Sequence, residues 1–367
     1  MKIRSHADKG LAETIRRATG ISVSGWRIER WRQHGLLAAA NHIYPGEGSV
    51  AVYSPEALDQ AIELARLSRL YKRYDELSRV LFYNGFHVEV AVLRKVYLRM
   101  LDRLEKWMGP VRNETDLDRL DAKAQRLAQY AKRTKVGRRA LHRLGRHQDE
   151  TPEAVAAGAY FALMHVLKTG RPSSEEGLGD LFRAFGLNGL FEDRIGAAGP
   201  IAPNGAEELT GFLTELSFPN IRERVSTATI DEYREAADLI RTSIPFIRSV
   251  AIIATRVFPV PNAFGLAVLA DSDPGALDLA SFVPFALSIA PHARTEGARE
   301  LLARMKETQG YFAEAAQFIA SLPTPIVAAL KSGDPGPLAS LSNEQQTRIR
   351  ETAGVLQLAG HRFDPGS

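Results

Sequence analysis

The chain has 367 residues, 45% hydrophobic and 25% charged, enough to bury more than one core and to divide into two or three domains. It has no cysteine, which excludes disulfide staples, thiolate zinc sites and a cysteine nucleophile, and fits a reducing compartment such as the cytoplasm. The net charge of +4 conceals an asymmetry: residues 1–147 carry 29 Lys and Arg against 16 Asp and Glu, whereas the remainder carries 18 against 27. A polyanion such as nucleic acid is therefore expected at the N-terminal end.

No segment reads as a targeting or membrane-spanning element. Met1 to Leu11 is short and polar and runs straight into a helical pattern. The most apolar stretch, Ile244 to Ala270, is broken by Arg248, Arg256, Pro259, Pro261 and Asn262, so no membrane partner is expected.

Apolar residues recur at helical spacing almost throughout, which predicts a mainly α protein. In chain order, helices are expected over Leu11 to Ala18 and Ser24 to His34. A hairpin follows over Asn41 to Tyr53, where Pro45, Gly46 and Gly48 separate two short runs rich in Ile, Tyr and Val. Two more helices cover Pro55 to Tyr71, with Ser54 as cap, and Asp75 to Asn84, closed by Gly85. Longer helices run from Val88 to Met108, stopped by Gly109-Pro110, and from Thr115 to Lys135. The charge changes sign near residue 150. The expected division is 1–87, 88–150 and 151–367, the last an all-α domain of about ten helices with a frayed tail from Gly360.

The N-terminal elements compose a mechanism. The turn Thr19-Gly20-Ile21-Ser22 joins two short helices, with Ser22 or Ser24 able to cap the second and both expected among the DNA-contacting residues. That second helix alternates Trp26, Ile28 and Trp31 with Arg27, Arg30 and Arg32. The aromatic and aliphatic groups are expected to pack inward and the guanidiniums to face a DNA groove or its phosphates, since a planar fork binds guanine or phosphate through two hydrogen bonds. The hairpin would brace on the backbone through His42, Tyr44 and Tyr53.

Thr19 to Ser22, Ile28 to Trp31, His34-Gly35-Leu36-Leu37, the hairpin ending Tyr53-Ser54 and the helix closing at Asn84-Gly85-Phe86 together resemble, in order and spacing, the DNA-binding domain of the MerR family. The resemblance covers roughly residues 8 to 88. It implies a winged helix-turn-helix whose second helix enters the major groove of double-stranded DNA, a homodimer paired through a long helix after the module, and RNA polymerase as a further partner. The stretch between Ile21 and Ile28 is about two residues longer than the family pattern, so single base contacts are not assigned. The wing has Val50 and Ala51 where the family commonly presents an aromatic residue and an arginine.

Between Arg119 and His147 stand ten Lys or Arg and one carboxylate, Asp121. This segment reads either as an extra phosphate-binding arm or as a solvated face that offsets the acidic half. Residues 151–367 contain no phosphate loop, HExxH, nucleophile elbow or calcium loop, and the histidines do not cluster, so no catalytic residue, metal or cofactor is expected. The glycine-rich stretch Gly177 to Gly199 reads as two short helices. Scattered aromatics, among them Phe182, Phe185 and Phe191, read mostly as core. A sensory pocket for a small apolar effector would draw its polar groups from Arg248, Arg256 and His292. The reading is a DNA-binding transcriptional regulator whose helical C-terminal domain serves effector binding, oligomerisation or both, with a non-sensory architectural or mobile-element protein as the alternative.

Overall fold

In the computed structural model, which describes residues 6–43, 50–144, 151–173, 213–257, 264–332, 335–338 and 340–358, helices make up almost all the regular structure. Among the described residues the one sheet is an antiparallel pair. Tyr44, the stretch Gly177 to Gly199 with its phenylalanines, and the tail from Gly360 lie outside the described residues.

The first elements are α1 (His6–Thr19), α2 (Gly25–Gln33), β1 (Asn41–Ile43), β2 (Val50–Val52), α3 (Pro55–Leu70), α4 (Tyr74–Tyr83) and α5 (Val90–Met108). Their ends follow local chemistry. Ser54 accepts from the Ala57 amide with Pro55 in the first turn, where a proline loses no hydrogen bond. The strands pair Asn41 with Val52, His42 with Ala51 and Ile43 with Val50. After α4, the amides of Gly85 and Phe86 return to the carbonyls of Phe82 and Leu81, closing the helix with Gly85 at φ +92°.

Then come α6 (Glu114–Arg133), α7 (Lys135–Leu144), α8 (Pro152–Thr169), α9 (Phe218–Thr227), α10 (Ile230–Val257), α11 (Phe264–Asp271), α12 (Ala276–Ala280), α13 (Val283–Ala293), α14 (Glu296–Ser321), α15 (Thr324–Ser332), α16 (Pro335–Leu338) and α17 (Asn343–Leu358). The helix expected to continue to Lys135 instead stops at Thr134, whose hydroxyl accepts from the Gly137 amide and starts α7. Gly137 permits this corner: a Cβ there would lie 2.2 Å from the Ala131 carbonyl oxygen, so no side chain fits.

The chain forms two compact units, one of residues 1–104, 219–240 and 274–290, the other of 105–218, 241–273 and 291–367. In the first, the fully buried Tyr97 donates to the Ala280 carbonyl at 3.1 Å and its ring stacks on Tyr233 at 5.9 Å between centroids. Tyr233 donates to the Val225 carbonyl at 2.8 Å, and Arg79 donates to Ser281 Oγ at 2.6 Å. Segments from the acidic half thereby complete the core of the N-terminal unit. In the second, small residues let helices pack closely: Ala128 and Ala131 of α6 cluster with Leu141 of α7 and Ala156 and Ala157 of α8. A separate cluster joins Ile253 of α10 to Phe312, Ala316 and Ile319 of α14 and to Ile326 and Leu330 of α15.

Among the described residues no single helix is long and apolar enough to cross a membrane; only α14 with α15, bent by 116° at their junction, reaches the required length and composition together.

Candidate nucleic-acid interface

Helix α2 is fixed at both ends and along one side. At its start, Ser24 Oγ accepts from the Arg27 amide at 3.3 Å, so of the two nearby serines it is Ser24 that caps, while Ser22 lies exposed in the preceding turn. At its end, the Gly35 amide bonds the Arg32 carbonyl and the Leu36 amide bonds the Trp31 carbonyl. Gly35 sits at φ +66°, and an added Cβ would lie 2.7 Å from Val92 Cγ2, so both conformation and space require glycine there. Behind the turn, the buried Gln60 amide donates to the carbonyls of Leu36 and His87 at 2.7 and 2.6 Å, tying the exits of α2 and α4 to α3. Ile28 and Trp31, three apart, are completely buried.

The opposite side of α2 is solvent-facing, and here the structure departs from the sequence reading. Trp26, expected inward, is 62% exposed, because it lies five residues before Trp31 and so on the far side of a 3.6-residue helix. The Arg30 guanidinium sits over its ring, 4.9 Å from the centroid, a cation–π pair that holds both side chains on the outer surface. Arg30 is exposed and Arg27 is half-buried, and among the described residues neither forms an ion pair with a carboxylate.

Arg32 and Tyr53 are corrected more sharply. Arg32 binds Asp8 through both Nη atoms, at 2.8 and 3.0 Å, and donates also to Glu29 at 2.6 Å and to the Tyr53 hydroxyl at 2.6 Å. Tyr53 is 5% exposed and donates to Asp8 Oδ1 at 2.7 Å. Burial opposes the charge on Arg32, yet the hydrogen bonds of Asp8 and Glu29 and the surrounding negative field raise its pKa further. Burial, then the bond to Asp8, raises that of Tyr53. Their polar atoms are turned to one another rather than outward: this network locks the start of α1, the last turn of α2 and the residue after β2 together. A groove cannot be offered the same atoms. Sequence reasoning does not single out Asp8, although it shares the buried side of α1 with Leu11 and Ile15 at spacings of three and seven; a carboxylate on an apolar stripe is the signal for such a partner.

His34 ends α2 and stacks on Tyr74 at 3.9 Å between centroids. Burial first, then the nearby positive charge of Arg30, holds its pKa below the usual histidine value, outweighing the preference of a helix C-terminus for a cation. His42 is exposed on β1.

Two of the three expected effector groups are engaged separately. Arg248 pairs with Asp273 at 3.4 Å, and Arg256, two turns further along α10, donates to the carbonyls of Ile319 and Ala320 at the end of α14, where a cation complements the helix dipole. His292 is exposed on α13. Arg248 and Arg256 therefore do not converge on a common ligand. Among the described residues no group of three or more His, Asp or Glu could hold a metal ion.

Comparison with known proteins finds no matching family model, no similar curated protein and no similar solved structure.

Proposed function

We propose that the chain is a DNA-binding transcriptional regulator whose residues 6–88 act as a MerR-like winged helix-turn-helix, with α2 docking in the major groove of a duplex and the β1–β2 hairpin as the wing. The observation that carries this reading is the outer face of α2. Arg27, Arg30 and the exposed Trp26 lie on a rigid helix whose other side is buried, and neither cation is taken up by a carboxylate of its own chain among the described residues. Cations held this way are already positioned for phosphates and base edges, and an aromatic ring beside them can meet a thymine methyl or a sugar. The excess of basic residues over residues 1–147 supplies the attractive field. The contact set is narrower than the sequence suggests, since Arg32 and Tyr53 serve the module's own architecture. In this reading a second copy of the chain supplies the other half-site, as the resemblance implies.

The test is equilibrium binding to a labelled random-sequence duplex of about 30 base pairs in about 50 mM salt, comparing the parent with R27A/R30A. The variant is expected to bind roughly tenfold or more weakly with an unchanged far-ultraviolet circular dichroism spectrum, because two cations that meet the duplex are removed and neither side chain supports the core. Equal affinity would place the duplex elsewhere.

A further inference from the structure

The exposed side of α6 carries a second run of cations that α2 does not need. Arg119, Arg126, Tyr130 and Arg133 are separated by seven, four and three residues, which places them within a sector of about 60° on a helix of 3.6 residues per turn. All four are exposed, Tyr130 by 64% and the Arg119 side chain by 70%. Among the described residues only Arg119 of this stripe is met by a carboxylate of α6. Asp121 lies on the other side of the helix and accepts from Gln125; Asp116 is buried, accepts from the Arg112 amide at 3.1 Å and pairs with Arg119 at 3.5 Å, and among the described residues Arg126 and Arg133 form no ion pair. Lys132, outside the stripe, is the residue that pairs with Glu153. The corner at Gly137 then brings in α7, which has no acidic residue and exposes Lys135, Arg138 and Arg139.

We infer that the Arg119–Arg126–Arg133 stripe of α6, continued by Lys135, Arg138 and Arg139 of α7, is a second contact surface for the sugar-phosphate backbone of duplex DNA. It grips without reading sequence. The α6 part spans about 21 Å at 1.5 Å per residue, comparable to about six base pairs at 3.4 Å each. A run of like charges, in which only Arg119 is paired with a carboxylate among the described residues, suits a partner whose own charges are regularly spaced and of one sign. A protein interface would instead centre on apolar anchors with charge depleted. A membrane surface would need large apolar side chains projecting beside the cations, but of the aliphatic residues of α6 Leu120, Ala124, Ala128 and Ala131 are buried, Leu117 and Leu127 are partly buried, and only the small Ala122 is exposed. Tyr130 is the lone aromatic on the stripe, where its hydroxyl can reach a phosphate.

The experiment is the salt dependence of binding to the random-sequence duplex, measured on the full chain for the parent, R119Q/R126Q/R133Q, K135Q/R138Q/R139Q and R27A/R30A. Removing one phosphate-binding cation reduces the steepness of log affinity against log salt by about 0.9, so the α6 variant is expected to lose roughly two to three in slope and more than tenfold in affinity. The α7 variant should shift in the same direction, which guards against a folding defect in either one, and both should keep the parental melting temperature. An unchanged slope and affinity in both variants, with R27A/R30A impaired, overturns the stripe and leaves the reading of α2 standing. Weakened binding in the stripe variants with R27A/R30A unaffected supports the stripe and removes α2 from the duplex. Capture of the parent by phosphatidylserine vesicles but not by duplex overturns the proposal in favour of a lipid surface.

Discussion

Replacing Trp31 with alanine is expected to lower the unfolding free energy by about 3–5 kcal/mol, the range for deleting a large buried aromatic. Trp31 has no exposed surface, stands on the inner side of α2 beside Ile28, and its carbonyl closes the turn that carries Gly35. Truncation removes both the transfer gain and the attraction of the cavity lining, and a well-packed interior recovers little of either. Among the described residues the buried indole nitrogen has no hydrogen-bond partner, so Trp31→Phe removes an unsatisfied donor as well as volume and should cost well under half as much. Urea denaturation followed by circular dichroism separates the two variants. A Trp31→Ala chain with the parent's midpoint would mean that α2 does not pack as described.

The second large effect is at Arg32. Its replacement by alanine leaves Asp8, 6% exposed, as a carboxylate without its cation, a situation that typically costs about 3–5 kcal/mol. The side chain of Arg32 is 22% exposed and Tyr53 still donates to Asp8 in the variant, so about 3 kcal/mol, the low end of that range, is expected. Asp8→Ala combined with Arg32→Ala should be less destabilising than the two single changes added together, because the stranded charge is gone. Arg32→Lys should fall between, since an ammonium cannot replace the two-pronged contact. Strict additivity in thermal melts of the four chains would show that the pair is not coupled. For the same reason a binding test must leave Arg32 intact: its removal would damage the module and be mistaken for the removal of a DNA-binding group.

Local structure is largely legible in the sequence because it rests on local chemistry. Ser24 and Ser54 cap helices, Gly35 and Gly85 close them, and the β1–β2 pair forms within the expected hairpin; each follows from a residue type within a turn of the element it bounds. The break at Thr134 is not legible, because its cause, the close approach of Gly137 to Ala131, has no signature in periodicity. Pairings across long separations are also hidden. Asp8 meets Arg32 and Tyr53 over 24 and 45 residues, and Arg79 meets Ser281 over 202. The alternation of Arg and Trp in α2 suggests three outward cations and inward aromatics, whereas helical geometry, counted strictly from the buried Ile28 and Trp31, turns Trp26 out and brings Arg32 against Asp8. For the pocket candidates, composition offers charged residues in an apolar region, but only the folded chain reveals that Arg256 caps α14 and Arg248 meets Asp273.

The central claim is that the outward face of α2 reads duplex DNA, and repeated selection of binders from a pool of random duplexes tests it most directly. The parent chain is expected to enrich one sequence motif, and R27A/R30A, with its fold intact, is expected not to enrich it. A parent pool that stays as random as its starting material, or a variant that recovers the same motif as the parent, would contradict the claim.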